Sequence, residues 1–154
     1  MMENKQHPYR VIIADDHQGV RLGIQEILHN AGGFEVVALA GDGSQAVELV
    51  KQKEPDLLIL DVVLPELRGD EVARQITSNH SDTKILALSS FDNRQYISAM
   101  LVNGASGYLT KDEAPALVAQ AAREVLEREN EIWVSEELKA KARLDFESFL
   151  PEQS

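Results

Sequence analysis

The chain has 154 residues, 44% of them hydrophobic, which is enough for one domain with a real core. Fifteen basic residues against 26 acidic ones give a net charge of −11, which disfavours nucleic acid or an anionic membrane as a direct partner. There is no cysteine, so disulfides, thiol catalysis and thiolate-bound metals are excluded.

The opening residues 1–8 are polar and lack the apolar stretch of a secretory leader, so they are expected to form a disordered lead-in to a soluble cytoplasmic protein. Five short apolar runs then alternate with longer amphipathic segments. Tyr9–Ala14, Phe34–Ala40, 56–60, 84–88 and 106–109 read as strands, and their unbroken apolarity marks burial on both faces. The helices are predicted over 17–30, 44–53, Gly69–Ser78, 93–103 and 114–129. Val20, Ile24, Ile27 and Leu28 show the helical spacing in the first. Gly32 and Gly33 stop that helix, Pro55 follows the second, and Gly104 follows the fourth. Asp112 and Pro115 suit the opening turn of the fifth. Strand–helix alternation with short links predicts a parallel α/β sheet covered on both sides, over residues 9–129.

Residues 130–154 form a separate tail. After the charged break at 127–131 come Ile132, Trp133, Val134 and Ser135. Ser135 can cap a further helix carrying Leu138, Ala142, Phe146, Phe149 and Leu150 at helical spacing. Such a helix must pack on the domain, on a second copy, or on something else.

Side chains with chemistry stand at the ends of the strand-like runs. Asp15 and Asp16 follow the first, Asp61 the third, Ser89 the fourth, and Lys111 the fifth. In an open parallel sheet these ends share one edge, where ligands bind. Crowded carboxylates repel one another, and a divalent cation relieves them. Magnesium takes oxygen ligands, so Asp15 and Asp16 are candidate holders of it. Asp61 is a candidate nucleophile, Lys111 a point charge for a phosphoryl oxygen, and Ser89 a hydroxyl donor. Each has a bland alternative: a helix cap, a turn residue, a solvated lysine. Tyr108 alone reads as core packing. His17 reads as a first-turn helical residue beside the acidic pair, on the surface or as a tuner of that pocket, and His7, His17, His29 and His80 show no metal-ligand spacing.

These pieces resemble the receiver domain of bacterial two-component response regulators. The likeness rests on Asp15-Asp16, on Asp61 with Leu64-Pro65 and Gly69 after it, on Ser89, and on Gly107-Tyr108-Leu109-Thr110-Lys111. The pair Lys111-Asp112 and the run 132–138 resemble the NarL/LuxR-type subgroup. The resemblance implies a flavodoxin-like, doubly wound five-stranded sheet of order 2-1-3-4-5. It implies phosphoryl transfer from a sensor histidine kinase to Asp61. Mg2+ would be held by Asp16, Asp61 and the backbone carbonyl of Val63, with Asp15 acting through water. Ser89 and Tyr108 map to switch positions, and a homodimer on phosphorylation is implied. A NarL/LuxR-type regulator also carries a DNA-binding helix-turn-helix domain, for which residues 130–154 leave no room; a stand-alone receiver or a piece of a longer regulator is expected. Asp112 stands where many receivers have a cis-proline. The resemblance implies that positions 63 and 91 overlook the path of water, and the apolar Val63 and Phe91 there predict a long-lived aspartyl phosphate; Phe91 equally reads as a cover for apolar surface.

Three other functions compete. A haloacid-dehalogenase-type phosphatase needs a general acid at position 63, where Val63 cannot transfer a proton. A flavodoxin-like cofactor binder needs a glycine- and hydroxyl-rich loop where Asp15-Asp16 stands. An interaction module without phosphorylation has no use for the full acidic set with Ser89 and Lys111.

Overall fold

A computed structural model of the chain describes residues 7–79 and 81–142. Five strands, β1 (Tyr9–Ala14), β2 (Phe34–Ala40), β3 (Leu57–Asp61), β4 (Lys84–Ser89) and β5 (Gly107–Thr110), form one parallel sheet. Its order is β2-β1-β3-β4-β5, as the resemblance implies. The helices are α1 (Gln18–Ala31), α2 (Gly43–Lys53), α3 (Gly69–Ser78), α4 (Arg94–Val102), α5 (Ala114–Glu127) and α6 (Glu136–Ala142).

The continuous apolar runs divide their side chains by strand alternation. Ile12, Leu58, Leu60, Ile85, Ala87 and Tyr108 face one layer, packed with α2, α3 and α4. Val11, Ile13, Leu57, Ile59, Leu86, Leu88 and Leu109 face the other, against α1 and α5. Each Val, Leu or Ile among them stabilises the fold by about 1.5–3 kcal/mol when fully buried. Two filled layers therefore hold the strand ends in fixed register.

Several boundaries differ from the expected ones. β3 runs through Asp61 and β4 through Ser89, so both polar residues are paired into the sheet rather than following it. His17 lies outside α1 as its N-cap, with extended backbone. Asp112 does not cap α5: Glu113 is the N-cap, and Pro115 falls in the first turn as expected. The tail helix packs on the domain, with Val134 and Leu138 buried in the α2–α4 layer. Ser135 caps it, since Leu138 N donates to Ser135 Oγ at 3.1 Å. The expected positions of Phe146, Phe149 and Leu150, and most of the expected N-terminal lead-in, lie outside the described residues.

Candidate functional site

Three adjacent strands, β1, β3 and β4, and the neighbouring β5 deliver the site from their C-terminal ends. Asp15 N donates to Ala40 O at 3.0 Å, so the first carboxylate is fixed just past β1. Asp61 closes β3, and the chain is held there as Val62 N donates to Leu88 O at 3.0 Å. Lys111 N donates to Ser89 O at 2.8 Å, which ties the ends of β4 and β5 together.

Gly69, the first residue of α3, brings the loop after β3 back onto the strand. Its N donates to Val62 O at 3.0 Å. A Cβ on Gly69 would stand 2.5 Å from Asp61 O and 2.8 Å from Val62 Cα, so only glycine fits this close approach without displacing the Asp61 backbone.

The side chains meet as the spacing predicts. Lys111 Nζ lies 2.9 Å from Asp15 Oδ2 and 3.1 Å from Asp61 Oδ2. Asp61 Oδ1 accepts from Val63 N at 3.1 Å. Asp15 is fully buried and Asp61 nearly so, while Asp16 is exposed. Burial and the neighbouring Asp15 carboxylate push the Asp61 carboxyl up to about 6, against the opposing pull of Val63 N–H and Lys111. Burial alone would lower the Lys111 ammonium, but its bonds and charge contact with Asp15 and Asp61 hold it above its ordinary value.

Asp15, Asp16, His17 and Asp61 each offer a ligand atom, all within 4.8 Å of one another. Asp15 Oδ2 is buried and receives no aligned hydrogen bond, only the ion-pair contact of Lys111. A buried anionic oxygen in that condition fits a bound cation. His17 stands beside the acidic pair, as expected, with its side chain 67% exposed. Its Nδ1 lies 3.2 Å from Asp15 Oδ1 and 3.1 Å from Asp16 Oδ1, and its backbone N donates to Asp15 Oδ1 at 2.8 Å.

Ser89 and Tyr108 are joined through Phe91. Phe91 N donates to Ser89 Oγ at 2.9 Å, and Tyr108 Oη donates to Phe91 O at 2.7 Å. Ser89 and the Tyr108 ring are fully buried, and burial pushes the phenol up to about 12. Val63 and Phe91 are exposed at 51% and 43%, and the Phe91 ring stacks on Tyr96.

Residues 11–123 match the model of the response regulator receiver domain. The chain belongs to that family. The receiver is 42% identical over 117 residues to the transcriptional regulatory protein DegU of Brevibacillus brevis, across 75% of this chain and 48% of DegU. It is 39% identical over 121 residues to the oxygen regulatory protein NreC of Staphylococcus epidermidis, across 78% of this chain and 56% of NreC. It thus spans about half the length of these relatives. Among solved structures, the receiver domain of a NarL response regulator from Mycobacterium tuberculosis superposes with a TM-score of 0.76 at 32% identity, covering 79% of this chain and 99% of that one. A LuxR-family two-component response regulator from Aurantimonas gives 0.82 at 29% identity, covering 88% and 96%. The receiver is therefore of the NarL/LuxR type, and the phosphatase and flavin readings gain nothing from these matches.

Proposed function

We propose that Asp61 accepts a phosphoryl group from a sensor histidine kinase and that this receiver acts as a signalling switch rather than a turnover enzyme. One observation carries the reading: Lys111, at the end of β5, pairs with both Asp15 and Asp61, at the ends of β1 and β3. That arrangement leaves a nucleophilic carboxylate beside a fixed positive charge in a partly dehydrated pocket.

In the transfer, an Asp61 carboxylate oxygen forms a bond to phosphorus as the phosphorus–nitrogen bond of a phosphohistidine breaks. The imidazole leaves with the bonding pair and takes up a proton. Lys111 balances charge on one phosphoryl oxygen. The Ser89 hydroxyl, whose oxygen accepts from Phe91 N and which also bonds the Tyr108 hydroxyl, would turn its proton to another. The carboxylates of Asp16 and Asp61 and the carbonyl of Val63 are the proposed holders of Mg2+, with Asp15 contributing through water. Mg2+ bound there would supply positive charge that offsets the carboxylates and the incoming phosphoryl group.

The named relatives are regulatory proteins, one of them transcriptional, so transcription control is the proposed output and a homodimer the proposed phosphorylated form. No helix among the described residues is long and apolar enough to cross a membrane.

The test is intact mass after treatment with a small phosphodonor and Mg2+. The reading expects one added phosphoryl group on the parent, and none with a chelator present. Failure of the parent to gain mass would favour a binding module that does not use phosphorylation.

A further inference from the structure

The segment after α5 returns to the sheet and closes its edge. Trp133 pairs in parallel with Gly107: Tyr108 N donates to Trp133 O at 3.0 Å, and Trp133 N to Ser106 O at 2.9 Å. β5 is an edge strand, so this bridge covers backbone groups that would otherwise be open to pairing. Gly107 permits the contact. A Cβ there would press on Trp133 O, Leu86 Cδ1 and Val125 Cγ2, each at 3.0 Å.

Beyond Trp133, Val134 and Leu138 are 5% and 3% exposed and join the buried cluster of Tyr108, Ile97 and Leu101. Two polar anchors complete the docking. Ser135 Oγ donates to Glu113 Oε2, and Lys141 pairs with Asp92. The anchors stand on the two loops that carry the site. Glu113 follows Lys111 by two residues and also accepts from Thr110 N at 3.2 Å. Asp92 adjoins Phe91, the residue that links Ser89 Oγ to Tyr108 Oη. The Lys141–Asp92 pair is exposed and contributes little, so the burial of Val134 and Leu138 dominates the attachment.

We propose that residues 132–142 are an intramolecular plug that holds the Tyr108 ring in its buried position, so that docking of this segment and the position of the ring form one coupled switch. Val134 and Leu138 lie in the same buried cluster as the ring, and Trp133 O holds Tyr108 N. In this coupling an outward swing of Tyr108 disturbs their packing, and a shift of the Phe91–Asp92 segment pulls on Lys141. Docking and ring position are thus coupled, and the coupling is reciprocal. Its meaning for signalling rests on the phosphoacceptor reading; the mechanical coupling does not.

Trp133 is the single tryptophan of the chain and reports docking by its emission. The full chain is compared with Leu138→Asp and with Lys141→Glu, a milder surface change, each checked for folding by circular dichroism. Tyr108 exposure is read as its nitration rate by peptide mass. Leu138→Asp is expected to red-shift Trp133 emission and to raise Tyr108 nitration by about tenfold or more. Lys141→Glu is expected to move both in the same direction by less, and it decides the matter if Leu138→Asp unfolds. A red shift with unchanged nitration would overturn the proposal, because the ring would then be held without the plug. No red shift in either folded variant would overturn it as well. Phosphodonor treatment of the same samples tells the failures apart: a parent that gains no phosphoryl mass defeats the phosphoacceptor reading and leaves the plug result standing.

Discussion

Lys111 reaches Asp61 across fifty residues of sequence, its Nζ donating to Oδ2 at 3.1 Å. The same ammonium lies 2.9 Å from Asp15, so one cation separates two buried carboxylates. Lys111→Met would leave those charges facing each other. We predict a loss of about 2 kcal/mol in the cation-free protein, read by denaturant unfolding. Phosphorylation by a small donor should fall by about 10²-fold. Unchanged rates would show that the lysine does not face the incoming group.

Asp61→Asn should act in the opposite sense on stability. Burial and Asp15 raise the Asp61 carboxyl to about 6 from an ordinary value of 3.8. Between those values the folded protein binds the proton more tightly than the unfolded chain. Its contribution to stability is therefore present below about 4 and is lost as pH rises through about 6. The cation-free variant should melt higher than the parent at neutral pH, by the equivalent of about 1–2 kcal/mol, with the gap closing near pH 4. An Asn variant that melts lower at neutral pH would contradict this electrostatic account.

Gly69→Ala tests the close approach beneath the acceptor. With Asp61 O only 2.5 Å from the added carbon, the backbone of β3 or the start of α3 must move. We expect a cost of about 1–3 kcal/mol and slower phosphoryl uptake, since reacting groups tolerate little misplacement. A variant as stable and as reactive as the parent would mean the loop yields freely.

Most of this fold is legible in the sequence because unbroken apolar runs and helical spacing report two-sided burial directly. Val11 to Ala14 and Leu57 to Leu60 fill both layers, and no other assignment satisfies them. The gathering of Asp15, Asp61, Ser89 and Lys111 follows from parallel strands ending on one edge. What escapes sequence reading depends on long-range contact. Trp133 bridging Gly107 leaves no local pattern, and the Phe91 carbonyl that receives Tyr108 Oη belongs to the backbone. Glu113 takes the cap from Asp112, though adjacent acids look equivalent in one dimension. His17 is the surface residue it looks like, but its two carboxylate contacts depend on the turn after β1.

The apolar residues two positions beyond Asp61 and Ser89, Val63 and Phe91, predict the lifetime of the phosphorylated form. Val63 is half exposed and can direct no water by hydrogen bonding. Val63→Asn should hasten decay of the aspartyl phosphate by about threefold or more. Phe91→Glu should act likewise, although it also removes the stacking of Phe91 on Tyr96 at 4.5 Å. Decay is followed by loss of phosphoryl mass after the donor is removed, and equal lifetimes in all three proteins would sink the idea.

The central claim is that one carboxylate, at the end of β3, carries the phosphoryl group. Borohydride reduction of the treated protein converts an acyl phosphate to an alcohol at the residue that bore it, and peptide sequencing by mass locates the change. The account predicts homoserine at position 61 in the parent and no reduced residue in Asp61→Asn. Reduction at Asp15 or Asp16, or an unreduced position 61 in a protein that has gained phosphoryl mass, would contradict it.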